Sequence, residues 1–409
     1  MRLGNRETLP AVLHQPCLSP TPRICYKGQQ RVSRTEVFPL HRTIREAAAL
    51  APAFEEQETK FARAFAVLNQ AIADSAFPGA SGAVIADNKL LAQFGLGHFT
   101  FDTGSPKVAA DTIFDLASVS KVVGTTAMAM LLYESGHLDL DVPVAGIIPQ
   151  FARGDVRRQE VTIRMLLAHS SGLPAYVRLY REAHTREDLL QAALAVPLTA
   201  DPDTCAEYSD IGFIILGAAL EQIADESLQS FCERAVFGPL GMNRTTYCPP
   251  AHMRADIPPT QDDREFRKRI IQGEVQDENA SVLGGVAGHA GLFSNATDLA
   301  AFAHCMLRGG RPILRPDTVE LFTRRYGPGS RALGWDTPSD PSQSGKYFSP
   351  RSFGHLGYTG TSLWIDPDRG LAVALLTNRI WPDAKSELIK QLRPQFHDAI
   401  VECLEAQGG

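Results

Sequence analysis

The chain of 409 residues has little lysine, since arginine outnumbers lysine 31 to 9. It has no apolar run long enough to cross a membrane as a helix, so no membrane span is expected. Its seven cysteines are scattered without any Cys-x-x-Cys pair, which argues against a zinc knuckle or a dense disulfide framework. The net charge of -6 argues against a nucleic-acid binder, which is usually basic.

Several hydrolase signatures are absent as well. No Gly-x-Ser-x-Gly elbow occurs, which disfavours an α/β-hydrolase. No His-x-His or His-Glu-x-x-His suggests a zinc hydrolase, and no Gly-x-x-x-x-Gly-Lys-[Ser/Thr] loop suggests nucleotide hydrolysis. Residues 1–40 are rich in Pro and Arg without usable periodicity and are interpreted as a flexible tail. This tail has no apolar core of the signal-peptide type, so a cytoplasmic location is expected unless the true start lies elsewhere.

The hydrophobic pattern predicts strands at both ends of the remaining chain and helices between them. A helix is predicted from Glu55, followed by strands at 81–85 and 90–99 around an Asp87-Asn88 turn. Further strands are predicted at 354–365 and 371–377, and a last helix at 383–406, bent at Pro394. We therefore expect an α+β fold with a discontinuous sheet domain (55–117 and 311–406) and a mostly helical domain (118–310).

The stretch ASVSKVVGTTAMAMLL, residues 117–132, is apolar on every side of its predicted helix, yet contains Lys121. A lone charge in a dry core costs several kcal/mol unless a partner neutralises it. One interpretation is that Lys121 lies in the first turn and extends its amine to solvent. The other is that it serves Ser118, because residues three apart share a helix face and a serine needs a nearby base to become a nucleophile. Ser120 is a competing serine that faces elsewhere.

Two further segments could complete a site in a cleft between the domains. Tyr208-Ser209-Asp210 is the one Tyr-x-[Asn/Asp] sequence in the chain and precedes an apolar helix. Gly354-His355-Leu356-Gly357-Tyr358 begins the late strand, where Gly357 would let a substrate backbone approach closely. The alternatives are a core tyrosine at 208 and an edge-strand histidine at 355.

Taken in order, Ser118-x-x-Lys121, Tyr208-x-Asp210 and His355-x-Gly357 resemble the motifs of the serine β-lactamase and penicillin-binding-protein superfamily. The class C β-lactamase-related branch, which includes D,D-peptidases, D-aminopeptidases and esterases, is the most similar. The resemblance covers about 55–405 and extends to the stretches TIRMLLAHSSGLP (162–174), PLGM (239–242), GGVAGHAGL (284–292) and GTSLWIDP (360–367).

This resemblance implies an antiparallel sheet flanked by terminal helices, with an inserted helical domain. It implies that Ser118 forms an acyl-enzyme with a small ester, amide or peptide substrate, while Lys121 and Tyr208 share proton transfer. The backbone N–H groups of Ser118 and Tyr358 would form the oxyanion hole. His355 would stand where the family often has Lys. No metal or other cofactor is implied, and the oligomeric state is left open.

Two positions depart from the family pattern. The second motif commonly ends in Asn, whose amide can donate a hydrogen bond to a substrate carbonyl, whereas an ionised Asp210 cannot. If Asp210 contacts Lys121, it would keep the lysine charged and favour Tyr208 as proton acceptor. Leu356 replaces the usual threonine, whose hydroxyl helps to bind a substrate carboxylate. Both changes favour an esterase or a D-peptidase over a true β-lactamase. A non-catalytic ligand-binding or sensor protein on the same fold is the alternative.

Four other residues have two interpretations each. His169 is expected to satisfy buried backbone groups rather than take part in catalysis. His289 lies in a glycine-rich loop that either lines the mouth of the cleft or makes a tight turn. Thr359 and Thr361 either orient the substrate or are ordinary strand residues.

Overall fold

The computed structural model describes residues 50–327 and 329–406, so the tail predicted at 1–40 lies outside the described residues. Its strands are β1 (Ala51–Pro52), β2 (Gly79–Ala86), β3 (Lys89–Gly97), β4 (Phe114–Asp115), β5 (Thr246–Tyr247), β6 (Gln261–Asp263), β7 (Arg269–Ile271), β8 (Leu292–Ser294), β9 (Phe353–Leu356), β10 (Ser362–Asp366) and β11 (Leu371–Thr377).

The α-helices are α1 (Gln57–Lys60), α2 (Ala62–Ala73), α3 (Ala127–Glu134), α4 (Val144–Ile147), α5 (Ile163–Leu167), α6 (Arg186–Ala195), α7 (Asp210–Ala224), α8 (Leu228–Cys232), α9 (Gly238–Leu240), α10 (Glu278–Val282), α11 (Ala296–Leu307), α12 (Pro316–Thr323) and α13 (Ile389–Glu405). Short 3₁₀ helices cover Ala117–Val119, Pro149–Ala152, Val156–Gln159, Leu179–Arg181 and Ala251–Asp256. Two π-helical segments cover Lys121–Thr126 and Glu233–Phe237.

The main sheet has six strands in the order β1-β3-β2-β11-β10-β9. Only β1 and β3 pair in parallel, and every other neighbouring pair in this sheet is antiparallel. The pairing of β2 with β11 joins the two ends of the described chain, as the α+β prediction requires. Asp87 and Asn88 both have positive φ (52° and 61°), the conformation that the predicted hairpin turn needs.

The two terminal helices, α2 and α13, bury their apolar faces against this sheet. The Phe65 and Phe94 rings lie 4.9 Å apart, and Phe94 contacts Phe396 of α13 at 6.1 Å between ring centroids. Each large apolar side chain buried in this way contributes roughly 1.5–3 kcal/mol. The predicted antiparallel sheet flanked by terminal helices is therefore confirmed.

Two predicted elements were wrong in their extent. The strand predicted over 354–365 is two strands, because the Gly357 N–H donates to the Thr361 carbonyl at 2.8 Å and closes a turn between β9 and β10. The last helix begins at Ile389 rather than at Asp383. The Asp383 carboxylate accepts a hydrogen bond from the Lys385 N–H at 3.2 Å, a local contact that competes with helix formation.

The middle of the chain also contains β-structure that the sequence did not predict. Strands β4, β8 and β5 form a small sheet, and β6 and β7 form a hairpin. Helix α11, which the sequence analysis assigned to the helical domain, packs against β2, β10 and β11 of the main sheet. The division at residue 310 stays a prediction.

Among the described residues, no helix combines the length and apolar character needed to cross a membrane. The same residues contain no group of three or more His, Cys, Asp or Glu side chains arranged to hold a metal ion.

Candidate active site

Lys121 is fully buried at the start of the helical segment, so the interpretation in which its amine reaches solvent is wrong. The Nζ atom donates to Ser118 Oγ at 2.9 Å, to Asp210 Oδ1 at 2.6 Å and to the His289 carbonyl at 2.9 Å. An ammonium group has three donors, and all three have acceptors here. A buried cation is therefore tolerated because a carboxylate and two further oxygens replace its water.

The segment around Ser118 is not a regular α-helix. A 3₁₀ turn at Ala117–Val119 leads into the π-helical segment Lys121–Thr126 and then into α3. Ala117 has a φ of +46°, a left-handed conformation that is costly for alanine. The buried Asp115 carboxylate stabilises it by accepting the Ala117 N–H at 2.8 Å. Strain of this kind is common at functional sites, where surrounding contacts fix one geometry.

Ser118 is half-buried, and its Oγ also accepts a hydrogen bond from the Tyr208 hydroxyl at 2.7 Å. Ser120 is fully buried, and its hydroxyl accepts the Leu292 N–H at 3.1 Å. Ser118 is thus the serine beside both the lysine and the tyrosine, as the sequence predicts.

Tyr208 lies just before α7 and is held in place by its neighbours. Ser209 caps this helix, since its hydroxyl accepts the Gly212 N–H at 2.9 Å. His169 Nδ1 accepts the Ser209 N–H at 3.0 Å, and the His169 ring lies 4.8 Å from the Tyr208 ring. His169 therefore satisfies a buried backbone group, as predicted, and supports the tyrosine from one side.

Asp210 is the first residue of α7 and forms a buried ion pair with Lys121. Burial lowers the pKa of Lys121, and the Asp210 carboxylate opposes this change. Burial also raises the pKa of Tyr208 well above its ordinary value, and the negative charge of Asp210 adds to that effect. The resting Tyr208 is therefore a neutral phenol that donates its proton to Ser118.

Two threonines that follow the third motif hold the segment that leads to Ser118. The Thr359 hydroxyl donates to the Asp115 carbonyl and the Thr361 hydroxyl to the Leu116 carbonyl, both at 2.8 Å. A Cβ atom at Gly357 would lie 1.9 Å from Thr361 Oγ1 and 2.5 Å from the Leu116 carbonyl oxygen. Glycine is needed at 357 because the chain itself occupies that space, which differs from the predicted approach of a substrate.

His355 is buried between the sheet and Tyr208, with ring centroids 6.1 Å apart. Its Nδ1 lies 2.8 Å from the Leu356 carbonyl, which can only accept, so Nδ1 carries a proton. Burial lowers the pKa of His355 to about 4, so the ring is neutral at neutral pH. A neutral His355 cannot supply the charge of the lysine that the family often has here.

These side chains open onto a cleft of about 1010 Å³. Its lining includes Ser118, Tyr208, Asp210, His355, Leu356, Gly357 and Tyr358, together with Asp277 and His289. The structure thus brings together at one cleft the residues predicted from all three motifs.

The sequence analysis missed three charged residues at this cleft. Arg331 forms an ion pair with Asp336, and its guanidinium lies 5.3 Å from the Tyr208 ring centroid. Asp277 Oδ1 lies 2.7 Å from His289 Nε2. None lies in a motif or a periodic segment, so no sequence signal pointed to them.

Known proteins resemble this chain over most of its length. The profile of the Beta-lactamase family matches residues 61–391. An N-acetylmuramyl-L-alanine amidase of Bacillus subtilis (strain 168) is 32% identical in an alignment of length 341 that covers 74% of this chain and 77% of that protein. A putative D-alanyl-D-alanine carboxypeptidase of Salmonella agona (strain SL483) is 31% identical in an alignment of length 347 that covers 75% of this chain and 80% of the relative.

Among solved structures, EstCE1, a hydrolase with promiscuous acyltransferase activity, superposes with a TM-score of 0.69. It is 23% identical, and the match covers 84% of this chain and 99% of EstCE1. This likeness shows the fold. The profile match and the two relatives show that the chain belongs to the beta-lactamase family of serine hydrolases.

Proposed function

We propose that this protein is an acyl-transferring hydrolase in which Ser118 attacks the carbonyl of an ester or amide. The observation that carries the proposal is the position of Ser118 Oγ, 2.9 Å from Lys121 Nζ and 2.7 Å from the Tyr208 hydroxyl. A serine hydroxyl needs an adjacent proton acceptor to become nucleophilic, and both candidates are within hydrogen-bond reach.

Lys121 is the proposed acceptor of the Ser118 proton. Burial lowers the pKa of Lys121, which increases the fraction of neutral amine, whereas burial raises the pKa of Tyr208 and makes the phenolate scarce. A neutral Lys121 has two N–H donors for Asp210 and His289 and one lone pair for Ser118. We therefore assign the role of base to Lys121, although its contact with Asp210 was expected to favour Tyr208.

Tyr208 is then assigned to the second proton transfer. Its O–H already donates to Ser118 Oγ, which becomes the ester oxygen of the acyl-enzyme, so it can protonate a leaving group nearby. The backbone N–H groups of Ser118 and Tyr358 are assigned to the oxyanion hole, because both residues border the cleft. Water then attacks the ester and gives one proton to the Tyr208 oxygen, and Lys121 returns its proton to Ser118 Oγ as the acyl group leaves as a carboxylic acid.

The proposed substrates are amides or esters of peptidoglycan type rather than β-lactams. The names of the two relatives, an amidase of N-acetylmuramyl-L-alanine and a putative D-alanyl-D-alanine carboxypeptidase, support an amide bond of this class. The Asp210 carboxylate is engaged by Lys121 and has no N–H to offer a substrate carbonyl. Leu356 packs in part against the sheet core and has no hydroxyl for a substrate carboxylate.

Intact mass measurement after treatment with a fluorophosphonate probe tests the nucleophile. The parent should gain one adduct and turn over p-nitrophenyl butyrate, while Ser118→Ala should do neither. A parent without adduct and without turnover would support the alternative of a ligand-binding protein. Comparing nitrocefin with muramyl-peptide and D-alanyl amides tests the substrate class, and rapid nitrocefin hydrolysis would contradict the proposed preference.

A further inference from the structure

The third acceptor of Lys121 belongs to a loop outside the three motifs. Lys121 Nζ donates to the backbone carbonyl of His289 at 2.9 Å. The side chain of the same residue is 1% exposed, and its Nε2 lies 2.7 Å from Asp277 Oδ1. The backbone carbonyl that accepts from Lys121 thus belongs to a residue whose side chain is held by Asp277.

Asp277 is held by one contact of its own side chain and by one contact of the preceding residue. Its Oδ1 caps α10 by accepting the Ala280 N–H at 2.7 Å. The preceding residue, Gln276, donates its backbone N–H to Asp115 Oδ2 at 2.7 Å, and the other oxygen of Asp115 holds the turn before Ser118. The segment 276–277 therefore connects to the nucleophile turn on one side and to His289 on the other.

We propose that Asp277 and His289 form a positioning pair that holds the His289 carbonyl on Lys121 and so fixes the lysine amine against Ser118. The inference rests on the proposed function of Ser118 and Lys121. Neither side chain needs to touch the reacting atoms, since the pair acts through the lysine. Displacement of a base by about 1 Å can cost roughly 100-fold in rate, so a contact that holds the lysine amine in place can have a large effect on turnover.

The protonation of the pair follows from its surroundings. His289 Nδ1 is buried without a hydrogen-bond partner among the described residues, so a proton there would be unsatisfied. Nε2, which lies against the Asp277 carboxylate, is therefore the ring nitrogen that donates a hydrogen bond. Burial acts to raise the pKa of Asp277, but its interactions with His289, with the Ala280 N–H and with Lys121 together leave this pKa below its usual range. Asp277 is therefore ionised.

The charge of Asp277 also acts on Lys121, whose pKa it raises against the larger effect of burial. The ionisable groups around this lysine are Asp210, Asp277, Arg331, Tyr208, His169 and His355. Removing the charge at 277 alone should thus lower the pKa of Lys121 further, and the limb of the pH–rate profile that reports Lys121 should move to lower pH.

Three variants separate positioning from charge. His289→Ala removes the anchor, His289→Gln restores an N–H donor toward Asp277, and Asp277→Asn keeps an acceptor for the cap but removes the charge. Matched controls are His304→Ala and Asp298→Asn, which change a buried histidine and a buried aspartate away from the cleft. Each is assayed for p-nitrophenyl butyrate turnover, for the rate of fluorophosphonate labelling and for thermal unfolding.

We expect His289→Ala to lower kcat and the labelling rate at least about tenfold with little change in KM. His289→Gln should recover part of that loss, and Asp277→Asn should shift the pH–rate limb downward. The two controls should keep the parent's kcat and pH profile. If His289→Ala does not fold, His289→Gln and Asp277→Asn decide the question.

Parent-like kcat and pH profile in the folded variants at 277 and 289 would overturn the inference, as would an equal loss of kcat in the controls. Failure of the proposed function has a different outcome, because the parent itself would then show no labelling that depends on Ser118.

Discussion

The buried ion pair between Asp210 and Lys121 gives the sharpest test of the site. Asp210→Asn keeps the shape of the side chain but removes its charge. The two charges are 2.6 Å apart at their nearest atoms, and Lys121 is fully buried while Asp210 is 17% exposed. Charges about 4 Å apart, a distance that allows for delocalisation over the carboxylate, attract by about 4 kcal/mol at an effective dielectric constant of about 20.

This value agrees with the roughly 3–5 kcal/mol lost when one partner of a buried pair is removed. Burial already lowers the pKa of Lys121 in the folded parent, and without Asp210 that pKa falls further. The unfolded chain then binds more protons than the folded chain up to the ordinary lysine pKa of 10.5. Stability of both proteins should therefore rise with pH up to 10.5, and the deficit of the variant relative to the parent should shrink only until pH passes the lowered Lys121 pKa of the folded parent.

Urea unfolding of Asp210→Asn and the parent at several pH values between neutral and alkaline checks this expectation. Asp383→Asn is the matched control, because Asp383 and Lys385 are also 2.6 Å apart but their side chains are 46% and 88% exposed. Exposed pairs of this kind contribute little. If Asp210→Asn loses no more stability than Asp383→Asn at neutral pH, the buried charge of Lys121 is not compensated by Asp210 and the reasoning fails.

Three more predictions concern residues around the nucleophile. Ser120→Ala should keep fluorophosphonate labelling and lose about 1–3 kcal/mol of stability, because the Leu292 N–H loses its acceptor; loss of labelling in a folded variant would contradict the assignment to Ser118. Thr361→Val should cost about 0.5–1.5 kcal/mol by removing one of two hydrogen bonds to the Leu116 carbonyl, which still accepts the Val119 N–H at 3.1 Å, and it should slow labelling; an unchanged labelling rate would show that the turn needs no such support. The neutral His355, with a pKa of about 4 against an ordinary 6.5, should make the parent lose roughly 3 kcal/mol between pH 6.5 and pH 4 relative to His355→Gln. The sign follows because the unfolded histidine takes up a proton in that range, and parallel stability curves for the two proteins would refute it.

Much of this fold could be predicted from the sequence because its terminal elements follow local rules. The hairpin at Asp87-Asn88 has both positive φ angles that such a turn needs, and Phe61, Phe65 and Leu68 mark the buried face of α2 at helical spacing. The extent of β9 and β10 could not be predicted. The turn between these strands, closed by Gly357 and Thr361, depends on contacts with the nucleophile segment that the local sequence does not display.

The candidate site also combines contacts that the sequence predicts with contacts that it does not. Ser118 and Lys121 are related by helical spacing, which the sequence displays directly, although the helix there is partly 3₁₀ and partly π. Asp277 and Arg331 reach the cleft only through tertiary folding, and no spacing connects them to Ser118. Pairwise spacing therefore predicts contacts within one element, while the charges that adjust those contacts come from distant segments.

The charges around Lys121 act on its pKa in opposite directions, and their balance affects catalysis. Asp210 and the charge of Asp277 both favour the ammonium form, whereas burial and Arg331 favour the neutral amine. Burial is the largest of these effects, so the two carboxylates limit the fall in pKa and do not reverse it. A lowered Lys121 pKa favours transfer of the Ser118 proton to this lysine in the proposed mechanism. An asparagine at 210 would remove one of the two restraining charges. Asp210 is therefore best understood as a residue that sets the protonation of Lys121, and its cost is the loss of an amide donor toward the substrate.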